Sequence, residues 1–217
     1  MIDARMIDKV RKTYLQQAAE RAVRLLATEQ AAQCGETESV LPGTSVGGLA
    51  GHLARSVLQS GSSTVRYLAR NRCHRFGTTR LADTSLPDSA LNVGVRARSE
   101  ETAAAGPAVV AEQARAAWGR LSQRLGMESA DRRVAVLHRP AEEMLLDGYP
   151  QTRCVELAVH LDDLALSVDV PCPVPDATLA VAVDVLVAAA RDRHGDRAVL
   201  HALARRERDV DQALRVL

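Results

Sequence analysis

The stretch Thr152-Arg-Cys-Val-Glu-Leu-Ala-Val-His-Leu-Asp-Asp-Leu164 carries the residue types best suited to chemistry. Wound as a helix at about 100° per residue, it places Arg153, Glu156, His160, Asp163 and Ser167 in one stripe roughly 80° wide. Val155, Val159 and Leu166 flank the stripe on one side, and Leu157, Leu161 and Leu164 on the other. Cys154, Ala158 and Ala165 hold the opposite face. A solvated face would set charges opposite the apolar residues, whereas here apolar walls enclose them. Burying ionisable groups is costly unless they are paired or bind a metal. Glu156 and His160 lie one turn apart, so both side chains can converge on one point. With one histidine from another helix they make two imidazoles and a carboxylate, a set that zinc accepts with its fourth position open. Non-haem Fe(II) uses the same ligand types. The competing reading is an ordinary helix-surface network, with Glu156 paired to Arg153 and His160 to Asp163.

Elements must position that stripe, and composition limits what they can be. A chain of 217 residues fits one domain with a short appendage and can bury a sizeable core. Hydrophobic residues make up 47% but aromatics only 2%, so Ala, Leu and Val must build that core, as suits closely packed helices. A net charge of +1, scattered basic residues and few stacking rings argue against a nucleic-acid partner. No segment has the apolar length of a membrane span, and Met1-Ile-Asp-Ala-Arg shows no leader pattern. Cys34, Cys73, Cys154 and Cys172 form no CxxC pair, which fits reduced thiols in a cytoplasmic protein.

Periodicity predicts a long first helix over residues 3 to about 33, with Ile7, Val10, Tyr14, Ala18, Leu25 and Leu26 on its apolar face. Leu41-Pro-Gly-Thr-Ser reads as a turn, with Thr44 or Ser45 capping a second helix whose stripe is Val46, Leu49, Ala50, Leu53 and Val57. His52 sits at the margin of that stripe and, taken alone, reads as a boundary histidine. Residues 70 to 92 read as a loop, and its Cys73-His74 pair lacks partners for a metal site. A third helix is expected from about Ser99 to Leu125, interrupted at Gly106-Pro107, with Val109, Val110, Ala114, Ala117, Trp118 and Leu121 buried and Gly126 as its stop. Residues 132 to 138 alternate as a short strand, so a lone strand or a hairpin is expected beside the helices, and Pro150 suits the first turn of the fourth helix. A proline-rich linker follows Ser167; Asp176 is the expected cap of a helix from Ala177 to Arg193, apolar nearly all round. A short helix from Asp196 to about Arg208 and a brief strand or turn over residues 213 to 217 complete the chain.

His52, His138, His194 and His201 compete for the third-ligand place, and His194 and His201 lie in terminal segments poorly placed for a core site. Thr44-Ser-Val-Gly-Gly-Leu-Ala-Gly-His52-Leu-Ala-Arg, together with Thr152 to Leu164, resembles the mycothiol-dependent maleylpyruvate isomerase N-terminal family of the DinB-like superfamily. The resemblance covers roughly residues 5 to 170 and rests on two motifs in the family's order. It implies an all-α, DinB-like four-helix bundle over residues 1–170, with residues 171–217 as a C-terminal helical extension. Carried over by position, the metal ligands are His52, Glu156 and His160, and the metal is usually zinc.

The implied chemistry is thiol activation, in which mycothiol or another low-molecular-weight thiol becomes a thiolate at the metal and attacks an electrophilic substrate. In the isomerase that thiol adds to the cis double bond of maleylpyruvate, which rotates before elimination. Arg153 is then a candidate to orient Glu156 or hold a substrate carboxylate, and Asp163 to orient a ligand imidazole. The isomerase carries a sizeable C-terminal domain, whereas residues 171–217 supply one or two helices and a tail, so the substrate stays open. The alternative is a metal-binding or regulatory module without catalysis. The apolar helix from Ala177 suits a homodimer contact.

Overall fold

A computed structural model describes residues 9–61, 89–129, 132–136, 139–146, 148–210 and 212–216. Its architecture is an all-α bundle with one small hairpin. Helix α1 occupies residues 9–26, widening to a π-helix over Thr13–Ala18 before the α-helical Ala19–Leu26. A separate short helix, α2 (Glu29–Gln33), follows, so the single helix expected to about residue 33 is corrected to two. Thr28 causes the break: its backbone is extended, and its hydroxyl accepts from the Ala31 N–H at 3.3 Å as an N-cap. The predicted start at residues 3–8 lies outside the described residues.

Helix α3 (Val46–Gly61) begins where expected, capped by Ser45, whose hydroxyl accepts from the Gly48 N–H at 2.9 Å. Val46, Leu49, Leu53 and Val57 are fully buried, as their spacing predicts. The third predicted helix is really two. Helix α4 (Ala90–Ala103) is capped by Ser89 and starts nine residues before the expected Ser99, inside the stretch read as loop. Gly106, at φ 87°, then turns the chain, and Pro107 opens α5 (Pro107–Arg124) at its first position. On α5, Val110, Ala111, Ala114, Ala117 and Leu121 are buried; Val109, expected inside, is exposed, and Trp118 is only partly covered. Residues 62–88, with Cys73 and His74, lie outside the described set.

A hairpin precedes the last bundle helix. Strand β1 (Arg133–Val136) pairs antiparallel with β2 (Arg139–Leu145), with a bulge between Ala135 and Val136. The predicted strand is present, but Arg139-Pro140, read as punctuation, begins a second one. Proline is tolerated there because each strand of a two-stranded sheet has a free edge. His138 lies outside the described residues.

Helix α6 (Gly148–Ser167) carries the stripe, with Pro150 buried in its first turn. Helices α1, α3, α5 and α6 surround the main core, in which Tyr14, Leu49, Leu53, Leu157, Leu161 and Leu164 are the largest fully buried side chains. Alanines 18, 19, 22, 54, 114 and 117 fill the close approaches, which explains how a core forms with so few rings. Helix α7 (Asp176–His194) lies against the outer side of α6, where Val155 and Ala158 pack on Ala182. Sandwiched between core and α7, α6 needs apolar residues on two sides. Its stripe occupies the gap between them. Leu166, expected in one wall, is 62% exposed near the helix end.

Two further expectations change. Asp176 is the first residue of α7 and its side chain makes no cap; Pro175 holds the cap position. Nor is α7 buried all round, since Leu179 and Val183 are exposed. Gly195, at φ 83°, ends α7 and starts α8 (Asp196–Ala204), after which the chain finishes in a short 3₁₀ segment and turns.

Candidate metal centre

Helix α3 delivers His52 and α6 delivers Glu156 and His160 to one point between them. His52 Nε2 lies 3.5 Å from Glu156 Oε2, and His160 Nε2 lies 3.6 Å from the same oxygen. The two rings meet edge to face, with centroids 4.3 Å apart and planes at 89°. One donor atom from each of the three residues falls within 4.8 Å of the others, the sole such cluster among the described residues. Two bonds of about 2.0–2.1 Å at a tetrahedral centre separate their ligand atoms by roughly 3.3 Å. The two imidazole-to-carboxylate spacings are therefore close to what one small cation requires.

Hydrogen bonds on the far sides of both rings aim these atoms. His160 Nδ1 lies 3.2 Å from Asp163 Oδ2, a carboxylate that can only accept, so Nδ1 carries a proton and Nε2 is the nitrogen that offers its lone pair once the ring is neutral. His52 Nδ1 lies 3.2 Å from the hydroxyl of Ser99, on α4. Across Glu156, the second oxygen faces Arg153, whose Nη2 stands 3.7 Å from Oε1. Arg153 is itself held by its Nε donating to Thr152 at 3.2 Å and by its position 5.2 Å from the centre of the Tyr149 ring. Ser167, at the end of the stripe, accepts from the Val40 N–H at 3.0 Å and so ties the loop before α3 to α6.

The electrostatics follow from burial and these neighbours. For Glu156, burial disfavours the charge, but the facing imidazoles of His160 and His52 and the charge of Arg153 overcome it and hold the carboxyl well below its usual range. Burial of His52 favours the neutral ring, and Glu156 offsets this only in part, so its pKa falls. Burial opposes the charge on His160 too, yet Asp163 and Glu156 together raise it to about 9. Without a cation, the carboxylates hold a proton on His160. Cys154, on the same helix, faces the core, and burial pushes its thiol up to about 12. That thiol is no competitor as ligand or nucleophile at neutral pH.

A cavity of about 240 Å³ opens onto the cluster. His52 and His160 line its inner end, Leu41, Leu49 and Val95 give it apolar walls, and Arg96 and Glu100 add charge from α4. All five predicted site residues are thus in one place: His52, Glu156 and His160 converge, while Arg153 and Asp163 contact them from behind and do not line the cavity. His194 and His201 stand apart on α7 and α8. Sequence reasoning missed Ser99 and the whole cavity face of α4. Its polar residues Asn92, Arg96, Ser99 and Glu100 do recur at helical spacing, a signal hidden by ending the loop at residue 92 and starting the helix only at about Ser99.

A bundle that holds an inward histidine on one helix opposite a Glu-x-x-x-His pair on another is of the DinB-like class. The mycothiol maleylpyruvate isomerase N-terminal domain matches residues 15–165, and the chain belongs to that family. No curated protein matches it, and no solved structure does. Among the described residues no helix is long and apolar enough to cross a membrane.

Proposed function

We propose that His52, Glu156 and His160 hold a divalent cation, zinc, and that the chain uses a low-molecular-weight thiol of the mycothiol type in a transferase or isomerase reaction. The observation that carries this reading is the convergence of two imidazole Nε2 atoms and a carboxylate oxygen. The opposite nitrogens of both rings are already engaged, so with both rings neutral three electron-rich atoms face one another. A cation among them, or a proton on a ring, relieves that arrangement. When bound, the ion supplies a Lewis-acid position that favours the thiolate form of an incoming thiol.

The chain's own residues do the rest. Asp163 holds the His160 ring and raises its basicity as a donor; Arg153 fixes Glu156 through the oxygen that faces away from the imidazoles. Both are positioning residues, since neither lines the cavity. Leu41, Leu49 and Val95 offer apolar contact for the thiol and its electrophilic partner beside the polar residues of the cavity. Cys154, buried and protonated on the same helix, is not the thiol of this reading. The cavity at the imidazoles also weighs against a non-catalytic metal module, which has no need of a compartment there. On this reading residues 1–170 form the metal-binding unit in a cytoplasmic protein, and residues 171–217 an extension supporting the outer side of α6.

Metal analysis of protein purified without added metal is the test. One equivalent of a divalent ion is expected in the wild type and little or none in His52→Ala or His160→Ala. A mycothiol-conjugation assay over a panel of electrophiles then addresses catalysis, with activity abolished by removing the ion. A metal-free wild type that takes up neither Zn²⁺ nor Co²⁺ overturns the reading.

A further inference from the structure

We propose that Ser99 is a positioning residue for the metal centre: it accepts a hydrogen bond from His52 Nδ1 and so holds the Nε2 lone pair towards Glu156 and His160. This inference rests on the metal-binding reading above and adds a third helix, α4, to the machinery of the site.

A serine hydroxyl has a single proton to donate and lone pairs to accept with. The Ser99 hydroxyl donates that proton to the Val95 carbonyl, one turn back in α4, at 2.8 Å. Toward His52 Nδ1, 3.2 Å away, it therefore presents a lone pair. The ring must supply the hydrogen, which fixes the tautomer with Nδ1 protonated and Nε2 bare. Nε2 is the nitrogen that stands 3.5 Å from Glu156 Oε2. The site is built rather than incidental. Ser99 is only 3% exposed. Its approach depends on Gly51, the residue before His52, where a Cβ would overlap the Ser99 carbonyl oxygen.

The two histidines thus have unequal supports: His160 leans on the ionised carboxylate of Asp163 from its own helix, and His52 on a neutral hydroxyl from a different one. A carboxylate makes its imidazole the stronger donor, and a hydroxyl fixes orientation without adding charge. Removing the hydroxyl leaves the His52 ring free to flip or change tautomer, at a cost in affinity of about 10- to 100-fold.

The test is the affinity of the purified full chain for Zn²⁺, measured by competition with a chromophoric chelator, in wild type, Ser99→Ala and Ser99→Thr. The Nδ1 proton of His52 is followed by NMR in the zinc-loaded proteins. Ser99→Ala is expected to bind at least tenfold more weakly, with unchanged helical circular dichroism and a faster-exchanging Nδ1 proton. Ser99→Thr, which keeps the hydroxyl, is expected within a few-fold of wild type. If Ser99→Ala binds as tightly as wild type, or leaves the exchange of that proton unaltered, the proposal is overturned while the metal centre stands. A wild type that binds no Zn²⁺ overturns the metal centre itself.

Discussion

At the scale of single residues, Asp163 and His160 offer the sharpest expectations. Replacing Asp163 with Asn keeps the shape but removes the charge behind His160, and Zn²⁺ affinity should fall by about 10- to 100-fold. Competition with a chelator measures this directly. The same pair sets a pH dependence for the metal-free protein. His160 has its pKa raised from 6.5 to about 9 on folding, so the imidazolium stabilises the fold fully below pH 6.5. That contribution is lost as pH rises through about 9. Denaturation of the chelated protein at pH 6 and pH 9.5 should therefore show a smaller difference in Asp163→Asn than in wild type. Because a ligand must be deprotonated, metal uptake near neutral pH should release about one proton from His160, detectable by calorimetry in buffers of different ionisation enthalpy. Glu156 and His160 were legible in the sequence because helical spacing relates them directly. His52 lies on another helix, and no periodicity connects the two; only the paired motifs brought it in.

At the scale of elements, the site depends on how closely α4 approaches α3. Gly51 is the point of contact, and Gly51→Ala must push the Ser99 backbone away. Overpacking of this kind costs about 1–3 kcal/mol, read as a lowered thermal midpoint. It should also weaken Zn²⁺ binding, although the substituted residue is no ligand. A variant with wild-type metal affinity would show that α4 has no part in the site. The fold was legible where local signals agreed: α3 and α6 combine clear apolar spacing with capping or turn residues at their starts. Helix α4 defeated that reading. Its sequence, Ala90-Leu-Asn-Val-Gly-Val-Arg-Ala-Arg-Ser-Glu, mixes a glycine and three charges into weak amphipathicity, and its cap, Ser89, follows a run of turn-forming residues. Its stability comes from packing on α3, a tertiary effect with little trace in local pattern. With the helix start misplaced, Ser99 appeared as a terminal residue. The exposed side of α7 was likewise illegible, because Leu179 and Val183 are apolar and only the tertiary packing leaves them uncovered.

At the scale of the whole molecule, binding to the native state alone must raise stability by mass action. With free Zn²⁺ at a hundred times its dissociation constant the gain is about 2.7 kcal/mol. For a chain of this size that corresponds to roughly 5–10 °C in the thermal midpoint. Chelation should reverse it, and His160→Ala should show no response to either treatment. An equal midpoint with and without Zn²⁺ would argue against a native-state site. The ligands also have a topological aspect. His52 and Glu156 are about a hundred residues apart in sequence, so a cation shared by them is a removable cross-link around a large ring of chain. By the chain-entropy estimate, closing a ring of that size restricts the unfolded ensemble by on the order of 4–5 kcal/mol, provided the link survives unfolding. Escape of the ion, rather than loosening of the helices, would then set how long the loaded protein resists unfolding.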